Sequence, residues 1–157
     1  MFLINKITKK QIIYAILIII WMAVVFAFSN QPADNSSKSS GRITEIVVKI
    51  IAKEPEKRTP ELIDTVETIV RKTAHFSLYA VGGFLMAGLV NTTNASNKKL
   101  IIFAIFFTTL YACTDEIHQL FVDGRSGEIR DVFIDAAGAT LGVTIYVLIK
   151  KFVLVKI

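Results

Sequence analysis

"KKLIIFAIFFTTLYACTDEIHQLFVDGR", residues 98–125, decides the fold. After Lys98 and Lys99 the chain is nearly pure hydrocarbon as far as Cys113. It then runs, with no glycine or proline, into Asp115, Glu116, His118 and Gln119. A helix needs roughly 20 apolar residues to cross about 30 Å of hydrocarbon. Residues 100–113 fall short of that length, and the segment reaches it only by continuing through the polar stretch to Val122. The polar groups therefore stand at the end of a spanning helix, where a carboxylate needs a partner or water.

Three more segments carry the same signal: Ile12–Phe28, Ala74–Val90 and Val132–Ile149, the last interrupted by Asp135. The chain as a whole is 53% hydrophobic, with mean hydropathy +0.55 and net charge +5. That places it in the membrane class. A spanning segment must satisfy its own backbone hydrogen bonds, so helices are expected. The fold class is an all-α, polytopic membrane protein: a four-transmembrane-helix bundle with short amphipathic helices in the outer 29–73 segment. The spans are expected at about 11–28, 73–91, 99–122 and 130–150, within one domain covering 1–157. Lys6, Lys9, Lys10 and "VFA" at 25–27 resemble a cleaved signal peptide. The apolar run is longer than a usual signal core, so it is read as a helix. Cys113 is the only cysteine, which excludes an internal disulfide and leaves it as a small packing residue. No internal repeat is present.

Charge sets the expected orientation. The segment before the first span, the 91–99 loop and the segment after the fourth span carry lysines (Lys6, Lys9, Lys10; Lys98, Lys99; Lys150, Lys151, Lys156) and no acid. Four helices put these three segments on one side, and the positive-inside rule makes that side cytoplasmic. Both termini are then cytoplasmic, and all 13 Asp and Glu residues lie outside or in the outer half of a helix.

The outer 29–73 segment begins with "NQPADNSSKSSG", a turn-rich and flexible composition. Ile43, Ile46, Val47 and Ile50 then recur at helical spacing. After "KEPEKRTPE", Thr59, Pro60 and Glu61 give a capping hydroxyl, a proline at the first helical position and an acid at the positive helix end. Leu62, Val66, Ile69 and Val70 form the following stripe. Two outer amphipathic helices are expected, at about 41–53 and 60–72, lying at the interface or covering the bundle.

Three spans bring polar stripes to the outer end. Arg71, His75, Tyr79 and Gly82 share a face of the second span. Tyr111, Asp115, His118 and Gln119 share a face of the third, with Glu116 about 100° around from Asp115. The fourth carries Arg130, then Asp131, Asp135, Gly138 and Gly142 on one stripe. The Gly138–Gly142 GxxxG pair suits close helix packing. Two readings follow: a structural network in which Arg71, Arg125 or Arg130 neutralise Asp115, Asp131 and Asp135, or a pocket for something polar.

The motifs "FSNQ" at 28–31, "RKTAHFSLYAVGGFL" at 71–85, "YACTDEIHQLFVDGR" at 111–125 and "RDVFIDAAGATLG" at 130–142 resemble the VanZ-like family of small bacterial membrane proteins. The resemblance runs from about Phe28 to Leu148. Asp123 departs from it, standing where proline is expected before Gly124 and Arg125. The resemblance implies a bacterial cell-membrane location and a link to teicoplanin, a lipoglycopeptide that binds cell-wall precursors. It implies no defined mechanism.

The residues leave three classes open. A binding pocket would use Arg71, Arg125 and Arg130 for an anionic or sugar-bearing envelope molecule, such as a lipid-linked wall precursor or a lipoglycopeptide. His75, Asp115, Glu116, His118, Gln119, Asp131 and Asp135 would complete it. A membrane hydrolase or transferase would use Asp115, His118 and His75 as catalytic candidates. No cofactor is evident; a divalent metal is compatible with these side chains, although the spacing matches no zinc signature. A partner-binding scaffold would use the network internally. Membrane lipids are expected partners. Nucleic acid is not, since the basic tails are short and flank the membrane.

Overall fold

A computed structural model describes residues 7–31 and 33–155, with the backbone alone for 33–39 and 153–155. Among these are five α-helices, one short 3₁₀ turn and no strand: α1 Lys9–Ser29, α2 Ala33–Ile51, the turn Pro55–Lys57, α3 Pro60–Asn91, α4 Asn97–Gln119 and α5 Ile129–Val155. Four are long and apolar enough to cross a membrane: α1, α3, α4 and α5. Lys6 and Lys156 of the basic flanks lie outside the described residues.

The helix starts follow from local chemistry. Thr8 caps α1 through a reciprocal box with Gln11. Thr59 Oγ1 accepts from the Leu62 N–H at 3.3 Å with Pro60 in the first turn, and Ser96 accepts from Lys99 N–H. Two stretches differ from the sequence expectation. The turn-rich start of the outer segment is helical from Ala33, so one helix spans 33–51 rather than 41–53. No glycine or proline lies between Ala33 and Ser40 to break it. The expected outer helix 60–72 and span 73–91 are a single α3 of 32 residues. Nothing between them ends a helix, and the polar residues Arg71, Lys72 and His75 face a cavity rather than a turn. The third span stops at Gln119, short of 122, and the fourth extends past 150.

α3 is the central helix and packs on all four others. Its contact with α5 is backbone to backbone: a Cβ on Gly83 would lie 2.2 Å from Ala139 O, one on Gly138 2.2 Å from Phe76 O, and one on Gly142 1.8 Å from Ala80 O. Only hydrogen fits there, so the GxxxG pair does bring two helices together. Against α1, Gly82 accepts the Trp21 ring and Gly88 the Tyr14 ring. Trp21 also donates to Leu78 O at 2.8 Å and meets Tyr79 edge-on.

Tyr14 beside Gly88 sets α1 antiparallel to α3, and Lys150 Nζ bonding Asn97 Oδ1 at 3.0 Å joins the end of α5 to the start of α4. The basic segments Lys9–Lys10, Lys98–Lys99 and Lys150–Lys151 therefore share one end. Large apolar side chains remain exposed over α1 and α4, among them Ile13, Ile19, Ile20, Phe106 and Leu110. Such a continuous apolar belt is what hydrocarbon, not water, covers.

Candidate functional site

The opposite end of the bundle collects the polar stripes. Asp115 and Glu116 are both buried near the end of α4, but they face different neighbours. Asp115 Oδ2 accepts from Ser29 Oγ at 2.7 Å, so it is held by the last residue of α1. Glu116 Oε2 accepts from the Glu128 N–H at 2.9 Å, just before α5 begins. The buried Gln119 amide stands between them, donating to Asp115 Oδ2 at 3.4 Å and Glu116 Oε1 at 3.3 Å. Gly127 lets the connecting loop close on α4, since a Cβ there would meet Glu116 O at 2.4 Å.

Nearly two turns into α5, Asp135 is fully buried and neither of its oxygens has a hydrogen bond. Its nearest charge partner is His75 Nδ1 of α3, at 3.7 Å. Closer to the rim, Lys72 pairs with Asp131 and lies 3.7 Å from Glu128.

The two cations of greatest interest are Arg125 and Arg71. Arg125, in the loop after α4, donates to Gln31 O at 3.1 Å and Phe28 O at 3.2 Å. It thereby caps the carboxyl end of α1. Burial, and after it the neighbouring Arg71 guanidinium, pull its pKa below the ordinary arginine value without removing its charge. Arg71, half-buried on α3, has no hydrogen bond or ion pair among the described residues.

Together these side chains line a cavity of about 70 Å³, with Arg71, Lys72, His75, Glu116, Gln119, Arg125, Asp131 and Asp135 among its walls. The structure thus brings together seven of the sequence candidates around one small polar space: Arg71, His75, Glu116, Gln119, Arg125, Asp131 and Asp135. Asp115 lies behind it against α1. His118 lies on the α1 side, with Nε2 3.3 Å from Asn30 Oδ1 and its ring stacked 4.6 Å from Phe26. One turn on from Asp115 falls about 60° short of a full revolution, enough to aim His118 at the end of α1. Arg130 is exposed and outside the cavity.

Sequence reasoning missed Ser29, Lys72 and Glu128 as partners. Ser29 lies within the quoted "FSNQ", but its pairing with Asp115 across 86 residues has no spacing signal. Among the described residues, no three His, Cys, Asp or Glu side chains are grouped so as to hold a metal ion.

No curated protein and no solved structure matches the chain. One family model, VanZ/LLP1, matches residues 14–150. That range contains all four candidate spans except the first turn of α1 and the end of α5, and it holds every residue of the polar cavity. With most of its length matched, the chain belongs to the VanZ-like (VanZ/LLP1) family of membrane proteins.

Proposed function

We propose that the polar cavity is an outward-facing binding site for an anionic or sugar-bearing molecule of the bacterial cell envelope. The observation that carries this reading is the pair Arg71 and Arg125. Two guanidinium groups stand together, partly out of water, and among the described residues no carboxylate bridges Arg71. Adjacent like charges repel, and an anion with several oxygens relieves both at once through charge-assisted hydrogen bonds. Gln119, Lys72 and the rim carboxylates offer donors and acceptors suited to sugar hydroxyls. The acid-free lysines at the opposite end support the outward assignment, because the positive-inside rule favours cytoplasmic termini. The family resemblance adds a link to teicoplanin and related lipoglycopeptides.

A second reading has its own observation. His75 Nδ1 stands 3.7 Å from the fully buried Asp135, beyond hydrogen-bond length, and a bound lipid-linked substrate that drew the two together would orient the imidazole for proton transfer in a hydrolase or transferase.

The test is binding of a hexose phosphate to the purified protein. Arg71→Ala should abolish it and Arg71→Lys should weaken it, because lysine keeps the charge but not the planar donors. Exposed Arg130→Ala should leave it intact. Hexose phosphate binding that is unchanged in Arg71→Ala would remove this reading. Turnover of a lipid-linked sugar phosphate that Asp135→Asn abolishes, with hexose phosphate binding intact, would favour the second.

A further inference from the structure

The polar cavity is not closed on its α2 side. A groove of about 470 Å³ runs between α2 and α3, and Arg71, His75 and Arg125 line both spaces. Beyond these three, its walls are mostly hydrocarbon: Phe28 from the end of α1, Ile43 from α2, and Val70, Leu78 and Val81 from α3. Along α3 the groove extends from Val70 to Val81, about 16 Å at the rise of an α-helix. Ile43 is 55% exposed and Val81 52%, so the groove opens sideways, towards the surface that lipid covers. Cations stand at one end only.

From this arrangement we infer that the groove seats the hydrocarbon chain of a membrane lipid whose phosphate head is held between Arg71 and Arg125. The inference rests on the anion-binding reading above and names the class of molecule that fits it. Charge complementarity selects the head: among the described residues Arg71 has no hydrogen bond or ion pair, and Arg125 keeps N–H donors beyond the two spent on the Phe28 and Gln31 carbonyls. The apolar walls select the chain. Within a bilayer a chain gains little by leaving lipid for protein, since both are equally apolar. The head therefore supplies the affinity, and the groove fixes where the first bonds of the chain lie. That position is beside His75, which lines both spaces.

The test uses a hexadecyl phosphate bearing a diazirine near the chain end, with the full-length protein in phosphatidylcholine nanodiscs. Photolysis and peptide mass spectrometry should place the label on Ile43, Leu78 or Val81. Unlabelled hexadecyl phosphate should compete, and hexadecanol should not. Ala74→Trp and Val81→Trp, each placing a large ring in the groove, should lose the label while eluting as folded protein. If one of them fails to fold, the other carries the test. Label scattered over the lipid-facing surfaces of α1 and α4, or unchanged in the tryptophan variants, would overturn the chain seat. Label in the groove that Arg71→Ala leaves intact and hexadecanol displaces equally would overturn the phosphate head instead.

Discussion

The two ends of this bundle handle charge in opposite ways. At one end Lys9, Lys10, Lys98, Lys99 and Lys151 are exposed, and no acid is near in sequence. At the other, Asp115, Glu116, Gln119 and Asp135 are buried, and their partners come from four different segments. Charge at the first end needs only water and an electrical preference for one side of a membrane. Charge at the second end is held in place by specific neighbours, because a carboxylate withdrawn from water costs several kcal/mol unless it is bonded or paired. An end that exposes its charge tolerates change. An end that buries it does not.

The most severe challenge to this contrast is all-or-none. In a Cys113→Ser background, Lys57→Cys should react with a membrane-impermeant thiol reagent from outside and Lys98→Cys should not. The reverse pattern would exchange the two ends. The next largest effect belongs to the α3–α5 contact that holds the buried charges together. Gly142→Leu forces a side chain onto Ala80 O and should destabilise by about 3 kcal/mol, read as loss of the folded species in detergent gel filtration. Gly41→Leu, where a Cβ meets nothing within 4 Å, is its control. Smaller again is Ser29→Ala, which leaves buried Asp115 without its shortest hydrogen bond and should cost about 1–3 kcal/mol in denaturant unfolding. Combining it with Asp115→Leu should recover much of that loss. Smallest is Lys150→Ala at the basic end, which loses a solvent-screened bond to Asn97 and should change stability by less than ~0.5 kcal/mol. A Lys150 effect as large as that of Ser29 would erase the distinction.

These two ends were not equally legible in the sequence. Lysines free of acids along three segments can be read directly, as can the lengths of the apolar runs. Helical periodicity also placed His75, Gln119 and Asp135 on inward faces, because 3.6 residues per turn is a property of the chain itself. What periodicity cannot reach is the partner across the bundle. Ser29 meets Asp115, and Lys72 meets Asp131, only because the helix ends align in space. The continuity of α3 through residue 72 escapes the sequence for a related reason. A cluster of charge suggests that a helix has left the membrane, whereas here the charges turn towards a cavity and the helix continues. Asp115 and Glu116 illustrate the limit most closely: adjacent in sequence and both buried, one serves α1 and the other the start of α5.

The unbroken α3 also acts as a ruler. Its 32 residues make a rod about 48 Å long, well beyond the ~30 Å of a hydrocarbon core. Measured from Asn91 at the lysine end, the height of one hydrocarbon core brings the rod to about Arg71. The glycines in that stretch, Gly82, Gly83 and Gly88, are clamped against Trp21, Ala139 and Tyr14, so the guanidinium cannot adjust its height independently of the rest of α3. A bilayer of matching thickness sets it level with the lipid phosphates. A thinner one lifts it into water, and a thicker one draws it beneath the headgroups. Membrane thickness would then tune this site without any ligand or modification touching the protein.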